Sequence, residues 1–279
     1  MQDFVLTLLF NIHGIGAASG LIFHDGHVLM IADDSNGLYQ CSLADEKLEK
    51  IALQPSGISE NIAKKDKPDY EAMAVAEGKL YLFGSGSKKK RNALSVCDFP
   101  DFQHKSVVDL SVLYEKMRKV SGISKEDFNI EGALRYRDKW LLFQRGNGPG
   151  SHNGIFTISG NIAETDGAVH YKAMPLPACN GIPATFTDAT LVGNEIYFTA
   201  AAENSNSVYK DGEIMGSLIG CIDPKKMELV FTKVISPTHK FEGLTLIEKS
   251  RKELTFLLCE DNDSGAQQTG LYKLVLRKK

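Results

Sequence analysis

Five short polar side chains recur along the chain, each directly before a glycine or alanine that opens an apolar run. They are 52 to 60 residues apart and are Ser19, Glu71, Glu131, Asp188 and Glu242. All five offer only oxygen donors, and hard oxygen ligands suit Ca²⁺ first, with Mg²⁺ or Mn²⁺ as alternatives. If the fold brings these side chains together, they form a metal site. If the fold keeps them apart, each acid caps its own strand in a separate hydrogen-bond network.

Short strands are expected to hold these side chains. In each unit the polar residue is followed by an apolar run, a turn and a second apolar run, as in Glu71–Val75, Glu77–Gly78 and Leu80–Phe83. A polar loop, a third strand and usually a fourth strand come next. The repeat of about 56 residues is close to the length of a propeller blade. The sequence therefore predicts an all-β, five-bladed β-propeller with four-stranded antiparallel blades.

The ends of the chain predict how the propeller closes. The fifth unit lacks an outer strand, whereas Phe4–Leu9 is a strand that no unit uses. Pairing the two leaves no open edge, so residues 1–279 are expected to form a single propeller domain. Between the second and third units, Asp109–Met117 has apolar residues at helical spacing. We expect one short inserted helix there.

The first strand of each propeller blade lines the central channel, so the five polar residues should converge at one mouth of a tunnel. Four carboxylates about 6 Å apart repel by roughly 3 kcal/mol per pair at an effective dielectric constant of about 20. Protons or a cation must offset this cost. The fold and the charges together favour a calcium site over separate caps.

A second group of residues lies in the loops between strands two and three, which should open on the same mouth. Loops on a rigid scaffold commonly carry function. We expect Asp33 or Asp34 to orient a water molecule and Arg145 to hold an anion. The remaining candidates for substrate binding are Arg91, Ser85, Ser87 and His152.

Composition narrows the class of protein. The formal net charge of −3 argues against a broad nucleic-acid surface. No apolar run approaches the roughly 20 residues of a membrane-spanning helix, and the N-terminus is a poor signal peptide. Five widely spaced cysteines are typical of small core side chains rather than of a disulfide framework. Together these features favour a cytoplasmic protein with neither a nucleic-acid nor a membrane partner. The expected partner, a small anionic substrate or ligand, follows instead from the metal site and the cationic loop residues.

The blade pattern resembles that of the calcium-dependent apyrases, five-bladed propellers that hydrolyse nucleoside di- and triphosphates. The matching segments extend along most of the chain and include Ala32–Tyr39, Tyr70–Ala72, Ile130–Gly132 and Lys240–Gly243. The pattern is also similar to esterase-like phytase-type propellers and to uncharacterised bacterial propellers.

The apyrase resemblance implies that a residue opening each blade ligates calcium. This role would fall on Ser19, Glu71, Glu131 and Glu242. Blade four departs from the family, since Asp188 stands where the family has serine. The paired arginines of the family's third-blade loop are reduced to Arg145 beside Gln144, which removes phosphate-binding charge.

Two functions are consistent with these observations. The first is a calcium-dependent hydrolase of phosphorylated or otherwise anionic small substrates, in which the ion polarises the substrate oxygen. The alternative is a non-catalytic propeller that binds a ligand or a protein and contains a structural metal. Propellers serve many unrelated functions, so the fold does not choose between them.

Overall fold

A computed structural model describes residues 3–164, 167–204, 212–261 and 267–277. These residues form five four-stranded antiparallel sheets. The first strands of neighbouring sheets contact one another in a closed ring, and the first strand of sheet five contacts that of sheet one. The five-bladed propeller predicted from the repeat is therefore confirmed. Among the described residues, no helix is long and apolar enough to cross a lipid bilayer.

The strands of each blade follow one another from the tunnel outwards. The chain begins with β1 (Phe4–His13), and blade 1 contains β2 (Ala18–His24), β3 (His27–Ala32), β4 (Gly37–Ser42) and β5 (Leu48–Ala52). Blade 2 contains β6 (Tyr70–Ala76), β7 (Lys79–Gly84), β8 (Ala93–Asp98) and β9 (Ser106–Asp109). A 3₁₀ turn, Lys89–Arg91, precedes β8.

The remaining blades repeat this order. Blade 3 contains β10 (Ile130–Tyr136), β11 (Lys139–Gln144), β12 (Gly154–Ser159) and β13 (Val169–Ala173), and a small hairpin of β14 (Ala178–Cys179) and β15 (Ile182–Pro183) follows it. Blade 4 contains β16 (Thr185–Val192), β17 (Glu195–Asn204), β18 (Glu213–Asp223) and β19 (Glu228–Ser236). Blade 5 contains β20 (Phe241–Lys249), β21 (Glu253–Glu260) and β22 (Gln268–Arg277).

Strand β1 closes the ring as the sequence predicted. It pairs with β22 in antiparallel register, from Phe4 opposite Leu276 to His13 opposite Gln268. The N-terminal strand thus supplies the outer strand that blade 5 lacks. Closure joins the two ends of the propeller through backbone hydrogen bonds.

The inserted helix is confirmed, with different bounds. Helix α1 (Ser111–Ser121) begins two residues after the predicted start, because Asp109 ends β9 and its carboxylate accepts the N–H of Ser111. The helix ends where Gly122 adopts a left-handed φ of 72°. Tyr114 of the helix is fully buried, and its hydroxyl donates to the carbonyl of Gly84. The helix therefore packs between blades 2 and 3.

The core is divided among the blade boundaries. Each of five buried apolar clusters joins residues of two neighbouring blades. Phe143, Phe186 and Phe198, for example, stack edge to face across blades 3 and 4, with centroids 5.1 and 5.0 Å apart. All five cysteines are buried and free, as expected of small core side chains. This packing holds the inner strands in place around the tunnel.

Candidate functional site

Every inner strand contains a β-bulge at the mouth of the tunnel. The residue that lacks a cross-strand partner is Ser19 in β2, Glu71 in β6, Glu131 in β10, Thr187 in β16 and Glu242 in β20. A bulge bends the strand and re-aims the side chain of the extra residue. The repeated polar residue of the sequence thus coincides, in four blades, with a backbone feature that turns it toward the axis.

Blade 4 differs by one residue from the sequence-based alignment. Its bulged residue is Thr187, and Asp188 occupies the position that Gly20, Gly132 and Gly243 hold in other blades. The pattern of a polar residue before glycine or alanine matched Asp188 because Thr187 and Asp188 are both polar. Only the pairing of β16 with β17 distinguishes them.

The structure therefore does not bring Asp188 to the other four residues. Its two carboxylate oxygens each accept one backbone N–H at 2.7 Å, from Ala189 and from Leu244 of blade 5. It lines a cavity at the opposite mouth of the tunnel. Burial raises the pKa of Asp188 well above its usual range, although both N–H groups act in the opposite direction. Asp188 links two blades.

The polar mouth of the tunnel is a cavity of about 260 Å³. Among the described residues, eight acidic and five basic side chains line it, and their formal charge is −3 when all are ionised. The acidic residues are Asp33, Asp34, Asp69, Glu71, Glu131, Glu203, Glu242 and Asp261, and the basic residues are Lys64, Lys67, Arg91, Arg145 and Lys240. Ser19 also lines the cavity. Such a site attracts cations.

Three of these carboxylates form a cluster that could hold a metal ion. Asp33, Asp69 and Glu71 each place one oxygen within 4.8 Å of the others. Asp33 follows β3 of blade 1, whereas Asp69 and Glu71 belong to blade 2. Glu71 forms no hydrogen bond or ion pair with the described residues. Burial raises its pKa well above the usual range, and the charges of Asp69, Glu131 and Asp33 add to that rise.

Asp69 is held in place by residues that were predicted to bind substrate. Its Oδ2 accepts hydrogen bonds from the hydroxyl of Ser85 and from Nη1 of Arg91 at 2.7 Å. Ser87 bonds to both Ser85 and Arg91, at 2.9 Å each. Ser85, Ser87 and Arg91 are all buried. The three side chains thus fix the orientation of Asp69 in the cavity wall.

Sequence reasoning missed Asp69, although a signal was present. Asp69, Asn129 and Lys240 stand two residues before Glu71, Glu131 and Glu242, and all line the cavity. Residues two apart on a strand share a face. Blades 2, 3 and 5 thus each bring two polar side chains to the tunnel, one before the bulge and one at it.

Arg145 joins carboxylates from three blades. Its Nη1 lies 3.1 Å from oxygens of Glu131 and Glu242, and its Nη2 lies 2.7 Å from Glu203. The Nζ of Lys240 lies 3.0 Å from Glu242 and 3.1 Å from Asp261. Side-chain cations, rather than protons or metal alone, thus offset much of the repulsion expected from the sequence. Burial raises the pKa of Glu242 to about 8 even so, with Lys240 and Arg145 opposing that rise.

Two buried polar atoms on the cavity wall have no hydrogen-bond partner among the described residues. They are Nε of Arg145 and Oδ1 of Asn147. An unsatisfied buried polar atom is costly, so both are available to a ligand or to water. His152, by contrast, is exposed and does not line the cavity.

The residues of the cluster fit a hard divalent cation. All three side chains are carboxylates, and that of Glu71 has no ion pair among the described residues. Carboxylate oxygens are the usual ligands of Ca²⁺ and Mg²⁺ and also suit Mn²⁺, so the donor set is common to all three ions.

One protein family matches nearly the whole sequence. The model described as a family of unknown function (DUF6929) matches residues 14–276. No curated protein matches the chain.

Solved structures with a similar fold come from several kinds of enzyme. Glutaminyl cyclase from Myxococcus xanthus is 14% identical, with a TM-score of 0.55 over 98% of this chain and 97% of its own. A glycosyl hydrolase from Bacteroides ovatus is 12% identical, with a TM-score of 0.53 and coverages of 95% and 84%. An exo-1,5-α-L-arabinanase from a bovine ruminal metagenomic library is 11% identical, with a TM-score of 0.50 and coverages of 95% and 94%. At these identities the similarity shows the fold alone.

Proposed function

This chain belongs to the DUF6929 family of unknown function, and we propose that it binds a divalent cation, expected to be Ca²⁺, at the polar mouth of its tunnel. The observation that carries the proposal is the convergence of Asp33, Asp69 and Glu71 from two blades, with no ion pair to the Glu71 carboxylate from any described residue. Mg²⁺ and Mn²⁺ are the alternatives. The distant apyrase resemblance, which gives Glu71 a ligand role, supports the same ion.

The molecule that such a site would bind is a small anion, held through its contact with the cation. The protein's own arginines are engaged: Arg145 pairs with three glutamates and Arg91 with Asp69. The sequence predicted that Arg145 and Arg91 hold the anion directly, and these ion pairs compete with that role. The cavity of about 260 Å³ is below the usual range for drug-sized ligands, which favours a small molecule.

If the protein is an enzyme, the reaction that we propose is hydrolysis of a small phosphate ester or anhydride. A bound Ca²⁺ supplies polarisation of a ligand oxygen. Asp34 is the carboxylate suited to orient water, since it lines the cavity and forms no ion pair among the described residues. Burial raises its pKa above the usual range, as is common for carboxylates that act as a base.

A non-catalytic binding propeller with a structural cation is the second candidate. The observation in its favour is the set of ion pairs around Arg145 and Lys240, which crosslink blades 3, 4 and 5 near the axis. Such a network rigidifies a ring without needing any turnover. The cation site would then complete the same crosslinking on the side of blades 1 and 2.

Calcium titration by calorimetry, with thermal melts in calcium and in chelator, tests the site. We expect saturable binding and a higher melting temperature in calcium, both lost in Glu71→Gln. Glu248→Gln, at an exposed position of β20, is the matched control and should behave as wild type. Absence of binding to Ca²⁺, Mg²⁺ and Mn²⁺ would sink the proposal.

A screen of phosphate and carboxylic esters then separates the two candidates. Turnover that chelator abolishes and calcium restores supports the hydrolase. Saturable binding of an anion without turnover, in calcium-loaded protein, supports the binding propeller.

A further inference from the structure

A buried lysine lies among the carboxylates of the proposed cation site. Lys67 is only 5% exposed. Its ammonium makes a close contact with Oδ2 of Asp33 and lies 2.8 Å from Oδ1 of Asp69. Glu71 places an oxygen within 4.8 Å of both acids, and its charge contributes to the raised pKa of Lys67. The lysine thus neutralises part of the cluster.

The lysine and a metal ion would compete for the same atom of Asp69. The other oxygen, Oδ2, already accepts hydrogen bonds from Ser85 and Arg91. Oδ1 is therefore the Asp69 oxygen that remains for a metal ion, and Lys67 contacts this same oxygen. An ammonium and a divalent cation in contact with the same oxygens would also repel each other strongly.

We infer that the ammonium of Lys67 occupies the cation's place in the cation-free protein and leaves it when a divalent cation binds. This inference rests on the proposed function and names the residue that sets the affinity and charge selectivity of that site. Asp34, next to Asp33, feels the charge of Lys67 and has no ion pair among the described residues.

Selectivity for divalent ions follows from this exchange. Na⁺ or K⁺ would replace one unit of positive charge with another and gain little from the three carboxylates. A divalent ion brings one charge more than the ammonium that it displaces. Lys67 therefore excludes monovalent ions that an open cluster of three carboxylates would attract.

Lys240 provides a matched control. It is 4% exposed and bonds two tunnel carboxylates, Glu242 and Asp261, just as Lys67 bonds Asp33 and Asp69. Neither Glu242 nor Asp261 belongs to the cluster. Removing Lys240 changes the charge of the cavity by the same amount without opening the cation's place.

The test compares calcium affinity in wild type, Lys67→Met and Lys240→Met by calorimetry at one ionic strength. Lys67→Met should bind Ca²⁺ at least about ten-fold more tightly, whereas Lys240→Met should change the affinity by less than about three-fold. Lys67→Met should also gain a melting-temperature increase in NaCl over tetramethylammonium chloride, whose cation is too large for the cluster. Wild type should show no such difference.

Equal or weaker calcium binding by Lys67→Met would overturn the inference while leaving the proposed function intact. Tighter binding by Lys67→Met beside a wild type that binds no divalent cation would support the inference and overturn the proposed function. Lys67→Gln is the second variant. If both Lys67 variants fold only in calcium, the inference is supported, because the cation replaces the lost charge. If neither folds even in calcium, it is overturned.

Discussion

The Nη2 atom of Arg145, in the loop after β11 of blade 3, donates to Oε2 of Glu203, at the end of β17 in blade 4, at 2.7 Å. Both side chains are about 5% exposed. Nη1 of the same arginine reaches Glu131 and Glu242. One side chain thus connects three blades near the tunnel axis.

Arg145→Met should destabilise the propeller strongly, because it leaves buried glutamates without their cation. Removing one partner of a buried ion pair costs roughly 3–5 kcal/mol. Urea denaturation measures the change in free energy of unfolding. Arg277→Met, which removes an exposed arginine paired with Glu253, should cost at most about 1 kcal/mol. Equal effects of the two variants would contradict the role of Arg145.

Glu71→Gln should stabilise the cation-free protein even though it removes the proposed metal ligand. The carboxylate of Glu71 has no ion pair in the part of the chain that the structure describes. Burial and, after it, neighbouring acids raise its pKa, so a neutral amide relieves both the desolvation cost and the repulsion. Thermal melts in chelator should show a higher melting temperature than wild type. The difference should reverse in calcium, which the variant cannot use. A lower melting temperature in chelator would show that Glu71 has a stabilising partner.

Asp188 should make stability fall as the pH rises. Its folded-state pKa is raised above the usual value by burial, so the folded protein binds the proton more tightly than the unfolded chain does. Its contribution is therefore fully present below the unfolded pKa and is lost as the pH rises through the folded pKa. Asp188→Asn should remove this share of the pH dependence. Denaturation curves from pH 4 upward measure the free energy of unfolding of both proteins. Parallel pH profiles for wild type and Asp188→Asn would contradict the prediction.

Asp34→Asn should separate binding from turnover. Asp34 lines the cavity beside the cluster but is outside the three proposed ligands. If the protein is a hydrolase, the variant should lose about two orders of magnitude or more in kcat, as expected for a general base. Calcium affinity should change by less than about three-fold. Loss of calcium binding would place Asp34 among the ligands instead.

Local patterns along the chain were enough to predict the architecture and part of the site. Blade number, the closing strand β1 and the inserted helix follow from local apolar periodicity and from a repeat along the chain. Glu71, Glu131 and Glu242 were found because strand alternation and the repeat register are local properties. Their arrival at one mouth follows from the closed ring.

The register of blade 4 and the ion pairs in the tunnel depend on tertiary structure. A bulge depends on strand pairing, so Thr187 rather than Asp188 takes the tunnel position only once β16 pairs with β17. Arg145 and Glu242 are 97 residues apart, and no local pattern pairs them. The Lys67 contact with Asp33 spans 34 residues and likewise forms only when blades 1 and 2 pack together. Ion pairing depends on distances that packing sets, whereas the periodicity of apolar residues is a local property of the sequence.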